Sequence, residues 1–96
     1  MGRRAARIDA NQNEIVTMLR KMGYSVAITS DCGKGFPDIV VGRSGRNYLF
    51  EIKDGNKVPS AQKLTEAEQH FCDTWKGQYN VITCLDDAIK ILRLSD

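Results

Sequence analysis

The chain contains no apolar run near the roughly 20 residues that a membrane span requires, and its opening residues lack the apolar stretch of a secretory signal. No membrane partner is expected, and the chain reads as cytoplasmic. Cysteine is scarce: Cys32, Cys72 and Cys84 are odd in number, widely spaced and form no C-x-x-C pair, which argues for reduced thiols rather than a disulfide framework. The single histidine, His70, lies two residues from Cys72 and completes no recognised zinc spacing. Gly33-Lys34-Gly35 is not followed by the pattern of a nucleotide phosphate loop, so neither an NTPase nor a small organic cofactor is expected. Charge of one sign is also lacking, since a net +2 is too small to establish a polyanionic partner by itself. What is present is ordinary: 96 residues, 42% apolar and 27% charged, suffice for one soluble domain with one site. Arg3, Arg4 and Arg7 precede the first acid, Asp9. Residues 1–10 therefore read as a basic arm, either touching phosphates or simply solvated, and residues 11–96 as the folded domain.

Within residues 11–22, Ile15, Met18, Leu19 and Met22 follow the spacing of an amphipathic helix, with Asn11 and Glu14 as a capping pair and Gly23 as its stop. Residues 24–29 alternate as a strand with Val26 and Ile28 on one face, and residues 30–37 are rich in turn formers. Ile39-Val40-Val41, a turn at Arg43-Ser44-Gly45-Arg46, and alternation over residues 48–53 read as a β-hairpin. After a polar stretch over 54–63, Thr65 and Glu68 form a capping box, and Ala67, Phe71 and Trp75 mark the inner face of a second helix ending near Gly77. Phe71 and Trp75 read as core residues and are assigned no ligand. Residues 79–84 read as a last strand, and Asp86 caps a final helix with Ile89 and Leu92 inward. The order α-β-β-β-α-β-α describes an α/β domain with a mixed sheet that contains an antiparallel hairpin.

The hairpin brings chemistry together. If Ser44 and Gly45 are the two loop residues, Val41 faces Tyr48 and Asp38 faces Glu51. Directly opposed side chains have Cβ atoms roughly 4.5 to 5.5 Å apart, where like charges repel, so a cation is expected between them. Period-two alternation puts Lys53 on the face of Glu51 and Ile52 on the other. A hard divalent cation such as Mg²⁺ takes oxygen ligands from one or two carboxylates and keeps waters for substrate and nucleophile. Two acids and a lysine so placed suit phosphodiester hydrolysis. Each half of the pattern is common on exposed strands; the facing register is what raises the functional reading.

Gly35-Phe36-Pro37-Asp38 followed by Glu51-Ile52-Lys53 resembles the G-x-P-D and E-x-K signature of the VRR-NUC family, within the PD-(D/E)xK nuclease superfamily. The resemblance extends from Glu14 through Leu64-Thr65 and Trp75 to Asp87-Ala88, and is to a stand-alone phage or bacterial member. It implies a restriction-endonuclease-like fold, Mg²⁺ or Mn²⁺ dependence and cleavage of DNA. By the same resemblance Asp38, Glu51 and the Ile52 carbonyl are metal ligands and Lys53 is the catalytic lysine. Glu14 matches an acid that the superfamily often places on its first helix, a role that competes with capping. The family's glutamine four residues after its Leu-Ser/Thr leucine corresponds to Glu68 here, with Gln69 one residue later. Either the acid substitutes or Gln69 reaches in.

Lys34 is a candidate phosphate contact, and Arg43, Arg46, Lys57 and Lys63 flank the signature as a candidate basic rim. The leading expectation is a metal-dependent, structure-selective DNA endonuclease acting on branched or four-way junction DNA. Stand-alone members of the family resemble junction-resolving homodimers, and two nicks need two copies of one site. The alternative is a non-catalytic nucleic-acid-binding module that keeps the fold, and an RNA substrate would use the same metal chemistry.

Overall fold

Periodicities of three to four residues become helices and periodicities of two become strands in the order expected. In a computed structural model, which describes residues 10–94, the elements are α1 (Gln12–Lys21), β1 (Ser25–Ile28), β2 (Ile39–Arg43), β3 (Arg46–Ile52), α2 (Glu66–Thr74), β4 (Asn80–Ile82) and α3 (Leu85–Leu94). Short 3₁₀ turns at Ser30–Cys32 and Pro59–Gln62 interrupt the two longest loops. Arg3, Arg4 and Arg7 of the basic arm lie outside the described residues.

The sheet has the order β1-β2-β3-β4, antiparallel through the first three strands and parallel between β3 and β4. Parallel pairing needs a crossover, and α2 supplies it. In the hairpin, Ser44 (φ 52°) and Gly45 (φ 78°) both take the left-handed conformation, as a two-residue type I′ turn requires. That turn sets Arg43 opposite Arg46 and Val41 opposite Tyr48, as expected from the sequence.

One face of the sheet carries Ile39, Val41, Tyr48, Phe50, Ile52 and Ile82 into a core closed by Ile15, Val16 and Leu19 of α1 and Ala88 and Leu92 of α3. The opposite face carries Leu49, Glu51 and Lys53, and α2 reaches over it through Glu68. The inward stripe of α1 differs from expectation. Gln12, Ile15, Val16 and Leu19 are buried, whereas Met18 and Met22 stay 37% and 41% exposed. The Asn11–Glu14 cap is not made either, because Asn11 spends its amide tying α1 to the sheet, donating to Thr83 O at 2.9 Å.

On α2 the capping box forms as expected: Glu68 N–H donates to Thr65 Oγ1 at 3.2 Å, and Thr65 N–H to Glu68 Oε1 at 2.8 Å. Its aromatics are not core residues. Trp75 is 44% exposed and Ala67 is exposed, while half-buried Phe71 meets Phe36, Trp75 and Tyr79 at ring centroid distances of 5.3, 4.9 and 5.8 Å. The reason is position, since α2 lies on the polar face of the sheet, away from the apolar layer. Helix α3 begins at Leu85, so Asp86 lies inside its first turn, and Asp87 accepts the Thr83 N–H (2.9 Å) and hydroxyl (3.1 Å) instead. Leu92 is inward as expected, but Ile89 is only half-buried, and Ala88 faces the core in its place. No helix among the described residues is long and apolar enough to cross a membrane.

Gly35 joins the loop before β2 to α2. At φ 77° a Cβ on it would stand 2.2 Å from the Ala67 carbonyl oxygen and 2.8 Å from Glu68 N, whereas at Gly23 (φ 98°) a Cβ meets nothing within 4 Å. Gly23→Ala should cost only the left-handed strain, about 1–2 kcal/mol. Gly35→Ala should exceed it by a further 1–3 kcal/mol or so, because backbone must move. Urea unfolding of the two variants checks the order; equal costs would contradict the close approach.

Candidate active site

The acids meet because of the hairpin. Asp38 donates its backbone N–H to Phe50 O at 3.0 Å, continuing the β2–β3 register one residue past the ladder and setting its side chain toward the face of Glu51. Its carboxylate Oδ2 accepts the Ile52 N–H at 2.7 Å. Glu51 and Lys53 are 2% and 8% exposed, a low figure for charged side chains unless they serve one another. Lys53 Nζ lies 2.7 Å from Glu68 Oε1 and 3.7 Å from Glu51 Oε2. Three carboxyl groups thus surround one buried ammonium.

Their titration follows from that crowding. Burial, then the neighbouring charges of Asp38 and Glu68, push the Glu51 carboxyl up to about 10. Asp38 is raised as well, by burial first, against the lowering effect of the Ile52 N–H. Glu68 goes the other way. Burial opposes its ionisation, but the hydrogen bonds from Lys53 and the Thr65 N–H outweigh that and hold it below the ordinary carboxylate value. The Tyr79 phenol is raised by burial and by the charge of Glu51.

Asp38, Glu51 and Lys53 are brought together as expected, and Glu68 joins them. Its capping bond does not exclude it from the site, because one oxygen, Oε1, serves both Thr65 and Lys53. The expectation for Gln69 is corrected. It is exposed and donates to Asp73 Oδ1 at 2.8 Å along α2, since one residue is about 100° of helix. Glu14 is also corrected. It is exposed and lines, with Asn11, Asp54 and Asp86, an open cavity of about 510 Å³ that includes none of Asp38, Glu51 and Lys53.

The basic rim divides. Lys34 is exposed in the loop that Gly35 seats against α2, and Lys57 and Lys63 are exposed on the segment linking Lys53 to Thr65. Arg43 and Arg46 face each other at the hairpin turn. Five residue steps of extended chain carry Arg43 about 17 Å from Asp38, so these two arginines belong to the far end of the sheet. Cys32, Cys72 and Cys84 are free thiols, as expected.

Ready-made metal cages of three or more His, Cys, Asp and Glu side chains are not found among the described residues. Asp38 Oδ2 and Glu68 Oε1 already have hydrogen-bond partners. Glu51 Oε1 does not: it is buried and accepts no hydrogen bond. A buried carboxyl oxygen left so is costly, and a divalent cation shared with Asp38 would satisfy it. The donor set therefore fits a hard cation held by two carboxylates, with water completing its shell.

Comparison of the chain with protein-family models, curated proteins and solved structures finds no match. One polar residue that sequence reasoning passed over is Gln12, 1% exposed on the inner face of α1. The signal was its spacing, three and four residues before Ile15 and Val16.

A carboxyl raised on folding retains its proton when the unfolded chain has lost its own. Between the ordinary value of 4.5 and the folded value of about 10, stability therefore falls as pH rises. Glu51→Gln removes that slope. Without divalent cation, the variant should melt higher than wild type at pH 8.5, with a gap that shrinks toward pH 5. Thermal unfolding across pH measures it, and a gap independent of pH would rule out the raised carboxyl.

Proposed function

We propose that the chain is a metal-dependent nuclease of the VRR-NUC type, with a restriction-endonuclease-like arrangement, that hydrolyses phosphodiester bonds in DNA. The observation that carries the reading is half-buried Asp38 facing buried Glu51, with Lys53 on the same face and Glu51 Oε1 unsatisfied. Such a cluster costs stability, and perturbed carboxyls of this kind concentrate where they do chemistry.

Asp38 and Glu51 would hold Mg²⁺ or Mn²⁺, with the Ile52 carbonyl as the further ligand the resemblance implies. When bound, the cation neutralises charge on the scissile phosphate and makes a bound water more acidic. The protein's own residues do the rest. The Ile52 N–H fixes the Asp38 carboxylate, and Lys53, kept charged and aimed by Glu68, orients the attacking water and stabilises the oxyanion that develops on phosphorus. Lys34, Lys57 and Lys63 would contact the substrate backbone, which positions a strand without reading its sequence. One chain offers one site and hence one nick. Paired cleavage of a four-way junction would take a homodimer.

Cleavage of four-way junction, flap and linear duplex DNA, and of a matching RNA, should be compared in Mg²⁺, Mn²⁺ and EDTA. Wild type should cut branched DNA only with metal, and Lys53→Ala should cut at least about 100-fold more slowly. Binding without cutting by either protein would instead favour a non-catalytic nucleic-acid-binding module.

A further inference from the structure

Gln12, Glu51 and Lys53 are the polar side chains buried among the described residues, and only the last two belong to the acid cluster. Gln12 lies in the first turn of α1, on the stripe that otherwise carries Ile15, Val16 and Leu19. A buried amide needs partners. Its Nε2 is 2.9 Å from Ser30 Oγ, and its Oε1 is 3.1 Å from the same hydroxyl. Ser30 Oγ is in turn 3.3 Å from the carbonyl oxygen of Asp38, which also accepts the Thr29 N–H at 2.8 Å. Thr29 Oγ1 donates to Pro37 O at 2.7 Å. These bonds close the neck of the loop that delivers Asp38 to the hairpin.

A hydroxyl has one proton to give. When the Gln12 amide donates to Ser30 Oγ, that proton is shared between Gln12 Oε1 at 3.1 Å and the Asp38 carbonyl at 3.3 Å, so the hydroxyl is held between the two. An acid or an apolar group at position 12 would not supply the donor. We propose that Gln12 is a positioning residue for Asp38, acting through Ser30 and holding the peptide that carries the carboxylate in place for a divalent cation. This rests on the nuclease reading for the cation, but not for the positioning.

The test uses Gln12→Met, which keeps the length of the side chain and removes donor and acceptor, with Ser30→Ala and the double variant. Leu19→Ala, on the same helix face, is the control for lost core packing. The first readout is hydrogen exchange at the Ile52 amide, whose partner is the Asp38 carboxylate. The second is Mn²⁺ affinity by calorimetry. Gln12→Met and Ser30→Ala should each speed Ile52 exchange relative to the Ile82 amide and weaken Mn²⁺ binding about 10-fold, and the double variant should be no worse than either single. Leu19→Ala should speed both amides alike. If Ile52 exchange in Gln12→Met follows the control, or if the two substitutions add, the relay is overturned. A wild type that binds no Mn²⁺ would defeat the nuclease reading, and Ile52 exchange would still decide the role of Gln12.

Discussion

Two carboxylates on facing strand positions repel each other, and the register that opposes Asp38 and Glu51 is set by a two-residue turn at the other end of the hairpin. With Ser44 and Gly45 both left-handed, every pair along β2 and β3 follows, and a one-residue slip would send Glu51 into the apolar layer. The core fixes the same register from its own side. Ile39, Phe50 and Ile52 can fill the space between the sheet and α1 and α3 only if their neighbours Asp38, Glu51 and Lys53 are turned to the opposite face. The crowding of the two carboxyl groups is thus sustained by apolar burial on one side of the sheet and answered on the other by Lys53 and by the proton that Glu51 retains.

Helix α2 belongs to that answer rather than to the core. It buries none of its side chains, and its place is secured by the capping box, by the Phe36–Phe71 edge contact and by the close seat of Gly35. Glu68 does two things with one oxygen: it ties off the helix N-terminus and holds the Lys53 ammonium. Helix start and site are therefore coupled. A change that frays the first turn of α2 would also release the lysine.

Local features were legible in the sequence and spatial ones less so. The turn, the facing acids and the Thr65–Glu68 cap depend on residues a few positions apart, and all three appear where the spacing put them. The inner stripe of α1 depends on where the sheet and α3 lie, so Val16 could not be preferred over Met18 from periodicity alone. Gln12 breaks an apolar pattern in one-dimensional reading and completes it in space, because its partners, Ser30 and Asp38, are distant in sequence. Arg43 and Arg46 show the reverse error: residues near Asp38 in sequence are carried away by an extended strand. At α3 the acid expected to cap, Asp86, falls inside the first turn, and Asp87 reaches Thr83 instead.

The central claim is that Glu51 is held uncharged by its surroundings, and on the proposed nuclease reading a divalent cation shared with Asp38 would ionise it. The most direct measurement is the ¹³C resonance of the Glu51 carboxyl, followed by NMR across pH with and without Mg²⁺. The account predicts titration near 10 in the absence of the ion, and an ionised carboxylate at neutral pH in its presence. A Glu51 that titrates in the ordinary carboxylate range without metal, and does not respond to Mg²⁺, would contradict it.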